Sequence, residues 1–384
     1  MSENKHDILI CMNIGIDARF WNETGVGRYT RNLVTELQLI DNKNTYTLFS
    51  ISKNISGIQK SLHNKNFSVK KADMRWHTIR EQIAFPKLLE KESLDLIHFP
   101  YFSVPILYNK PYVITIHDLI LHHFPTGEAS TLPSPIYKLK HAAYKMIIEK
   151  AAKNAQKIIA VSDATKREII DHLHVPENKI VVIYEGIDQG LIATAKSSSS
   201  KSNYILHVGN MYPHKNMDRV LDALEICQKK KIDIQLIIVG REDFFYQRFH
   251  SKVLNRNLEK AVVFKGEVSD SVLANLYQSC LATIVPSLME GFGLPALEAM
   301  ANRCLVLCSQ IPSLIEVCGD APLYFEPLDA QSIASQIENA LTITNERRKA
   351  KVEIGYNRSK KFSWSEMGKD THKVYESCAS LRQS

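Results

Sequence analysis

Cys-x-x-Cys pairs are missing from this sequence, although it holds seven cysteines (Cys11, Cys227, Cys280, Cys304, Cys308, Cys318 and Cys378). Their odd number and wide spacing exclude the usual zinc-ribbon and redox motifs and any dense disulfide framework, so cytosolic thiols are the simple reading. Long hydrophobic runs are missing too, since no stretch approaches the ~18 uncharged apolar residues that a membrane span needs. The start, Met1-Ser-Glu-Asn-Lys-His-Asp7, lacks the apolar region of a signal peptide. The expectation is a cytoplasmic protein, either in solution or peripheral at the inner face of the cytoplasmic membrane. Strong charge bias is also absent: hydrophobic residues make up 45% and charged residues 23%, which disfavours a disordered chain, a collagen-like chain and a coiled coil.

What is present is length. At roughly 100–200 residues per domain, 384 residues imply about two domains. The formal net charge of +7 is modest and permits nucleic acid, anionic lipid, a phosphorylated substrate or mere solubility. It leans to the first half: residues 1–200 carry 25 Lys and Arg against 20 Asp and Glu. The excess is densest over 136–157, where Lys138, Lys140, Lys145, Lys150, Lys153 and Lys157 face only Glu149.

Short Ile- and Val-rich runs alternate with longer amphipathic segments, the pattern of repeated βα units with buried parallel strands. Strands are predicted at 8–16, 94–99, 112–117, 158–161 and 180–184, with helices at 27–39, 136–157 and 163–173. After the polar, serine-rich stretch 193–202 a second series runs from a strand at 204–208 to a helix at 365–379. The fold class is therefore α/β, with two doubly wound domains. Residues 1–193 and 203–363 form these domains, 194–202 links them, and a helix over about 364–384 is expected to pack back on the first. Ligands in such sheets bind beyond the carboxyl ends of the strands, so a shared cleft is expected.

The most informative segment is Pro286-Ser-Leu-Met-Glu-Gly-Phe-Gly-Leu-Pro-Ala-Leu-Glu-Ala-Met300. A strand ends, a glycine-rich turn follows, and Pro295 sits in the first turn of a helix, where its missing amide costs nothing. Such a helix start is an anion site. Glu290 and Glu298 offer carboxylates to hydroxyl groups, while the amides of Gly291, Phe292, Gly293 and Leu294 can donate to phosphate or sugar oxygens between them. A plain turn with two solvated glutamates is the alternative. Gly25 and Gly27 in Thr24-Gly-Val-Gly-Arg-Tyr29 allow close approach or positive φ, yet the third glycine and the downstream acid of a dinucleotide site are lacking. His117 closes a predicted strand, with Asp118 as its partner or a helix cap. His122 and His123 have no carboxylate or cysteine cluster at ligand spacing, so no metal is expected.

Glu290-x7-Glu298 with Gly291-Phe-Gly-Leu-Pro between resembles the signature of the retaining glycosyltransferases of family 4, which have the two-domain GT-B fold. Four more stretches match in order: Thr24–Tyr29, Thr115-Ile-His-Asp-Leu119, Val161-Ser162, and His207-Val-Gly-Asn-Met-Tyr-Pro-His-Lys-Asn216. The resemblance spans about 8–380 and implies transfer of a sugar from a nucleoside diphosphate, without a bound metal or other cofactor. It implies Glu290, His117 and Lys215 as catalytic residues. It further implies donor contacts from Gly25, Gly27, Asn210, Lys215, Gly291, Phe292, Gly293, Leu294 and Glu298. Many members carry Arg where Asn210 stands, so His214, Arg219 or backbone amides must compensate.

No well-placed nucleophile stands out, so front-face substitution is expected over the double displacement that two carboxylates about 5–5.5 Å apart would support. The phrasing Gly15-Ile-Asp-Ala-Arg19, Trp76, Glu81-Gln82 and 208–216 looks most like bacterial mannosyltransferases of O-antigen and exopolysaccharide assembly, with GDP-mannose as donor. The acceptor is expected to be a saccharide or a polyprenyl-linked saccharide. The basic segment 136–157 either touches anionic membrane or is a core-packed helix with a solvated face. A GT-B-like sugar-nucleotide epimerase and a UDP-hexose transferase are the rivals; no motif supports nucleic acid.

Overall fold

A computed structural model describes residues 11–125, 134–192 and 202–380, so the predicted linker lies almost wholly outside the described residues. The first half builds β1 (Asn13–Asp17), α1 (Gly25–Ile40), β2 (Thr45–Ser50), α2 (Ser52–Ser61), β3 (Phe67–Lys71), α3 (Ile79–Glu90), β4 (Leu96–Phe99), β5 (Tyr112–Ile116), α4 (Ile120–His123), α5 (Ser134–Asn154), β6 (Lys157–Ala160), α6 (Asp163–Leu173) and β7 (Ile180–Val182). Its seven strands are parallel, in the order β3-β2-β1-β4-β5-β6-β7. Ile14 and Ile16 in β1 and Val113, Ile114 and Ile116 in β5 are at most 1% exposed. Burial on both faces is why these strands read as continuous apolar runs.

The second half follows with β8 (Tyr204–Val208), α7 (Met217–Lys229), β9 (Gln235–Val239), α8 (Phe244–Asn255), β10 (Val262–Phe264), α9 (Asp270–Ser279), β11 (Ala282–Val285), α10 (Leu294–Ala301), β12 (Val306–Ser309), α11 (Pro312–Cys318), β13 (Leu323–Phe325), α12 (Ala330–Thr342), α13 (Asn345–Ser359) and α14 (Trp364–Ser380). The sheet order is β10-β9-β8-β11-β12-β13, again all parallel. Strand order reverses between β1 and β4 in one sheet and between β8 and β11 in the other. A crevice opens beyond the carboxyl ends at each of these switch points, and the loops there are those carrying Gly25, Asn210, Lys215 and Glu290.

The helix α14 returns to the first sheet and packs on α1. Trp364, Met367, Val374, Tyr375 and Cys378 are buried in a core shared with Ile14, Ile16 and Leu33. Polar contacts fix its register: the Tyr375 hydroxyl lies 2.7 Å from His98 Nδ1, and His372 Nε2 lies 2.9 Å from Asp41 Oδ2.

Several boundaries differ from the sequence expectation. Lys157 opens β6 rather than ending α5, and the pattern predicts neither β2 and β3 nor the edge strand β10. The buried stripe of α5 is Tyr144, Ile148, Ala151 and Ala152, which leaves Ile136, Leu139 and Met146 exposed. The core takes the residues that reach the aromatic cluster of Phe102 and Tyr144, not those a simple wheel selects.

Candidate active site

Lys215 ends the short turn Pro213–Lys215 after β8. Asn216 follows at φ 58°, and its side-chain amide donates to the carbonyls of Pro286 (3.0 Å) and Pro327 (2.7 Å). The Leu288 amide donates to the His214 carbonyl at 2.8 Å. These bonds tie the β8 loop to the β11 loop and set Lys215 Nζ 2.7 Å from Glu290 Oε1, which also accepts from Ser287 Oγ at 2.6 Å. Burial alone would raise the Glu290 pKa, but Lys215 and Ser287 outweigh it and hold the carboxyl below its usual range. Here, at the switch point, are an anion and a cation that a phosphorylated, hydroxylated ligand can separate and use.

After Glu290 the chain turns sharply. A Cβ on Gly291 would lie 1.9 Å from the carbonyl oxygen of His117, so the second domain can approach the first this closely here only because this residue has no side chain. Its own carbonyl accepts from Ser162 Oγ (2.6 Å) and Thr165 Oγ1 (3.2 Å). Gly293 sits at φ 97° as the N-cap of α10, a conformation open to glycine at little cost. The Phe292 ring is 4% exposed and packs between Tyr184 and Phe362. Phe292 therefore anchors the loop with its ring and offers the cleft only its backbone; Leu294 is half-buried.

Glu298 meets the first domain. One of its oxygens pairs with Arg28 and the other accepts from Tyr277 OH at 2.8 Å, while Arg28 Nε lies 2.7 Å from Asp188. Asp188 also accepts from Asn32 (2.9 Å) and Trp364 (2.7 Å). Burial raises the Glu298 pKa despite Arg28. Gly25 and Gly27 do different work. A Cβ on Gly25 meets nothing within 4 Å, whereas one on Gly27 would lie 2.6 and 2.7 Å from the carbonyl oxygens of Phe20 and Trp21. Neither has positive φ. Gly25 leaves room at the start of α1; Gly27 lets that helix pack on its own loop.

The His117 ring is fully engaged. Nδ1 lies 3.0 Å from Glu185 Oε1 and Nε2 lies 3.0 Å from the Pro100 carbonyl. Both partners are acceptors, so the ring is held as a double donor. Burial opposes the charge, but Glu185 outweighs it and raises the pKa. In this arrangement the ring has no free nitrogen to act as a base, and what His117 turns to Gly291 is its carbonyl. Asp118 accepts instead from the Ile120 amide at 3.0 Å, at the start of α4, and adds only its charge to the raised His117 pKa.

Around Lys215, burial and then the lysine itself push the His214 pKa down to about 4. That ring is neutral and does not replace a missing arginine. Arg219 stays a candidate: one of its nitrogens pairs with Asp222 at 2.9 Å and its buried Nε has no partner among the described residues. Asn210 Oδ1 is likewise buried without a partner among them.

The sequence pointed to none of Arg28, Glu185, Tyr277 and Ser287. Arg28 follows the glycine-rich loop and Glu185 follows β7, so a charged residue just beyond a strand or glycine turn was the available signal. A cavity of about 350 Å³ lies between the domains, lined by Phe124, Thr165 and Glu168 on one side and Met289, Glu290 and Ser313 on the other. The expectation that no carboxylate accompanies His123 is corrected, because α6 carries Glu168 and His172 to it.

The family described as Glycosyltransferase Family 4 matches residues 24–190, and that described as Glycosyl transferases group 1 matches residues 191–358. O-antigen chain mannosyltransferase B of Escherichia coli is 28% identical, over 92% of this chain and 96% of its own. The uncharacterized glycosyltransferase MJ1178 of Methanocaldococcus jannaschii is 30% identical, over 75% and 77%. Among solved structures, Anabaena HepE in complex with UDP and glucose superposes with a TM-score of 0.74 at 18% identity, covering 95% of this chain and all of that one. The two switch-point loops, the paired sheets and these relatives agree: the chain belongs to the glycosyltransferases of family 4, has the GT-B fold, and is similar to bacterial O-antigen mannosyltransferases.

Proposed function

We propose that the chain transfers mannose from GDP-mannose, with retention of configuration, to a saccharide or lipid-linked saccharide acceptor in cell-surface polysaccharide synthesis. The observation that carries this reading is the Lys215–Glu290 pair at the β8/β11 switch point, beside the buried and unpartnered Asn210 Oδ1. As the donor enters, Lys215 turns from Glu290 to the diphosphate, and the released Glu290 accepts hydrogen bonds from mannose hydroxyls. The start of α10 and Arg219 Nε add positive potential where the leaving group gathers charge. This set supports chemistry without a resident metal.

Neither glutamate is a free nucleophile, since Glu290, once Lys215 turns away, is held by Ser287 and the mannose hydroxyls, and Glu298 by Arg28 and Tyr277. That favours front-face substitution: the C1–phosphate oxygen bond breaks, the acceptor oxygen bonds to C1 on the same face, and its proton passes to the departing phosphate. Glu298 and Arg28 hold the ribose end of the donor. The acceptor enters the interdomain cavity at Glu290. A lipid-linked acceptor fits the exposed Ile136, Leu139 and Met146 on α5, which stand among its lysines as an apolar and basic face suited to anionic membrane. Among the described residues no helix is long and apolar enough to cross one.

A panel of nucleoside diphosphates and their sugars, read by thermal shift and then by turnover with and without a lipid-linked acceptor, tests this. GDP-mannose should stabilise the protein most, and its consumption should require acceptor. Stabilisation by UDP-hexoses alone would move the donor assignment to them. Acceptor-independent release of nucleotide would make the chain an epimerase-like enzyme. No response to any of them in folded protein refutes the proposal.

A further inference from the structure

His123, Glu168 and His172 lie on the first domain, and although His123 and Glu168 line the edge of the interdomain cavity, the transfer step gives none of the three a role. Glu168 and His172 stand one turn apart on α6, hence on one face, and His123 ends α4. Glu168 accepts from His123, and the same oxygen, Oε2, lies 3.3 Å from His172 Nε2. The two imidazole rings meet edge to face with centroids 4.9 Å apart, and one donor atom from each of the three residues falls within 4.8 Å of the others. Ligand atoms around a tetrahedral ion at ~2.1 Å are separated by about 3.4 Å. The three groups are thus close to the spacing of a first coordination shell. All three are about one-third exposed, so an ion can reach them.

We propose that these residues form a binding site for one divalent transition-metal ion of the zinc type. Two imidazole nitrogens and one carboxylate oxygen suit zinc-like ions and not calcium or magnesium, which prefer all-oxygen shells. Among the described residues Glu168 pairs with these two histidines and with no lysine or arginine, so an ion meets no cation competing for that carboxylate. Bound there, it clamps α4 to α6 across 45 residues of chain. Three protein ligands leave a coordination position open. The cavity that His123 and Glu168 line supplies the space for an oxygen ligand to fill it. Ion binding does not depend on the donor or on transfer.

The test is Zn²⁺ titration of the full chain by calorimetry in a non-chelating buffer, with melting temperature followed in parallel. Wild-type protein and His63→Ala, a change at an exposed histidine elsewhere, should bind one tight ion and gain thermal stability. Glu168→Gln and His172→Ala should fold normally and bind at least about tenfold more weakly. Wild-type protein that takes up no Zn²⁺, or variants that bind it as wild type does, would overturn the proposal. Either result leaves the transferase reading untouched, because no sugar nucleotide enters the assay.

Discussion

Replacing Gly291 by alanine puts a methyl group where the two domains meet. The new Cβ would sit 1.9 Å from the His117 carbonyl oxygen and 2.9 Å from its carbonyl carbon, and real Cβ contacts essentially never fall below 3.0 Å. Both obstacles are backbone at the end of a buried strand, so neither yields as a flexible side chain would. The Glu290 loop must retreat from the first domain by about 1 Å, and a misplacement of that size costs roughly 10²-fold in rate, or about 2.7 kcal/mol of barrier. Steady-state kinetics with donor and acceptor should show this fall in kcat/KM. Calorimetric binding of the nucleoside diphosphate, whose proposed contacts lie mainly on the second domain, should change far less. If Gly291→Ala kept kcat/KM within threefold of wild type, the claim that the domains act in this closed arrangement would be wrong.

Other perturbations separate the remaining roles. Arg28→Ala leaves Glu298, 4% exposed at its side chain, with Tyr277 as its remaining partner; denaturant unfolding should show a loss of about 3 kcal/mol, and a loss under 0.5 kcal/mol would discount the interdomain ion pair. Gly25→Ala should fold as wild type yet bind donor more weakly, whereas Gly27→Ala should lower the melting temperature. Equal effects of the two would contradict their different surroundings. Asp41 raises the His372 pKa, mainly through their hydrogen bond, and the Asp41 pKa is lowered in turn, its hydrogen bonds outweighing burial. The histidine's contribution is therefore full below its unfolded value of about 6.5 and fades as pH rises through its folded value. The aspartate's contribution is lost only as pH falls well below the ordinary carboxylate range. Melting temperature should drop more steeply for wild type than for His372→Gln on raising pH from 6.5 to 9; parallel curves would refute the coupling.

Much of this molecule is legible in the sequence wherever burial is complete. Strands covered on both faces, such as β5 and β11, announce themselves as apolar runs. The edge strand β3 alternates and is largely exposed beyond Phe67, while β2 hides its burial under threonine and serine. The candidate-site loops are legible because glycines and charges fall just after strands, as with Glu290 and Lys215, whereas Glu298 lies within α10. Pairings between distant segments could not be found. Nothing near Arg28 names Glu298, 270 residues away, and nothing near His123 names an acid and a histidine one turn apart on α6. The same limit explains His117: its place at a strand end was readable, but its ring being spent on Glu185 and Pro100 was not. On α5 the core selects the face that reaches Phe102, leaving Ile136 and Leu139 outside.

The measurement that bears most directly on the central claim is proton NMR of the glycosidic product formed from GDP-mannose and a lipid-linked saccharide. Wild-type protein and Glu290→Ala are to be compared at equal concentration. Retaining transfer that depends on Glu290 gives an α-linked mannoside from wild type and no detectable product from the variant. A β-linked product, or transfer by Glu290→Ala within a few-fold of wild type, would contradict it.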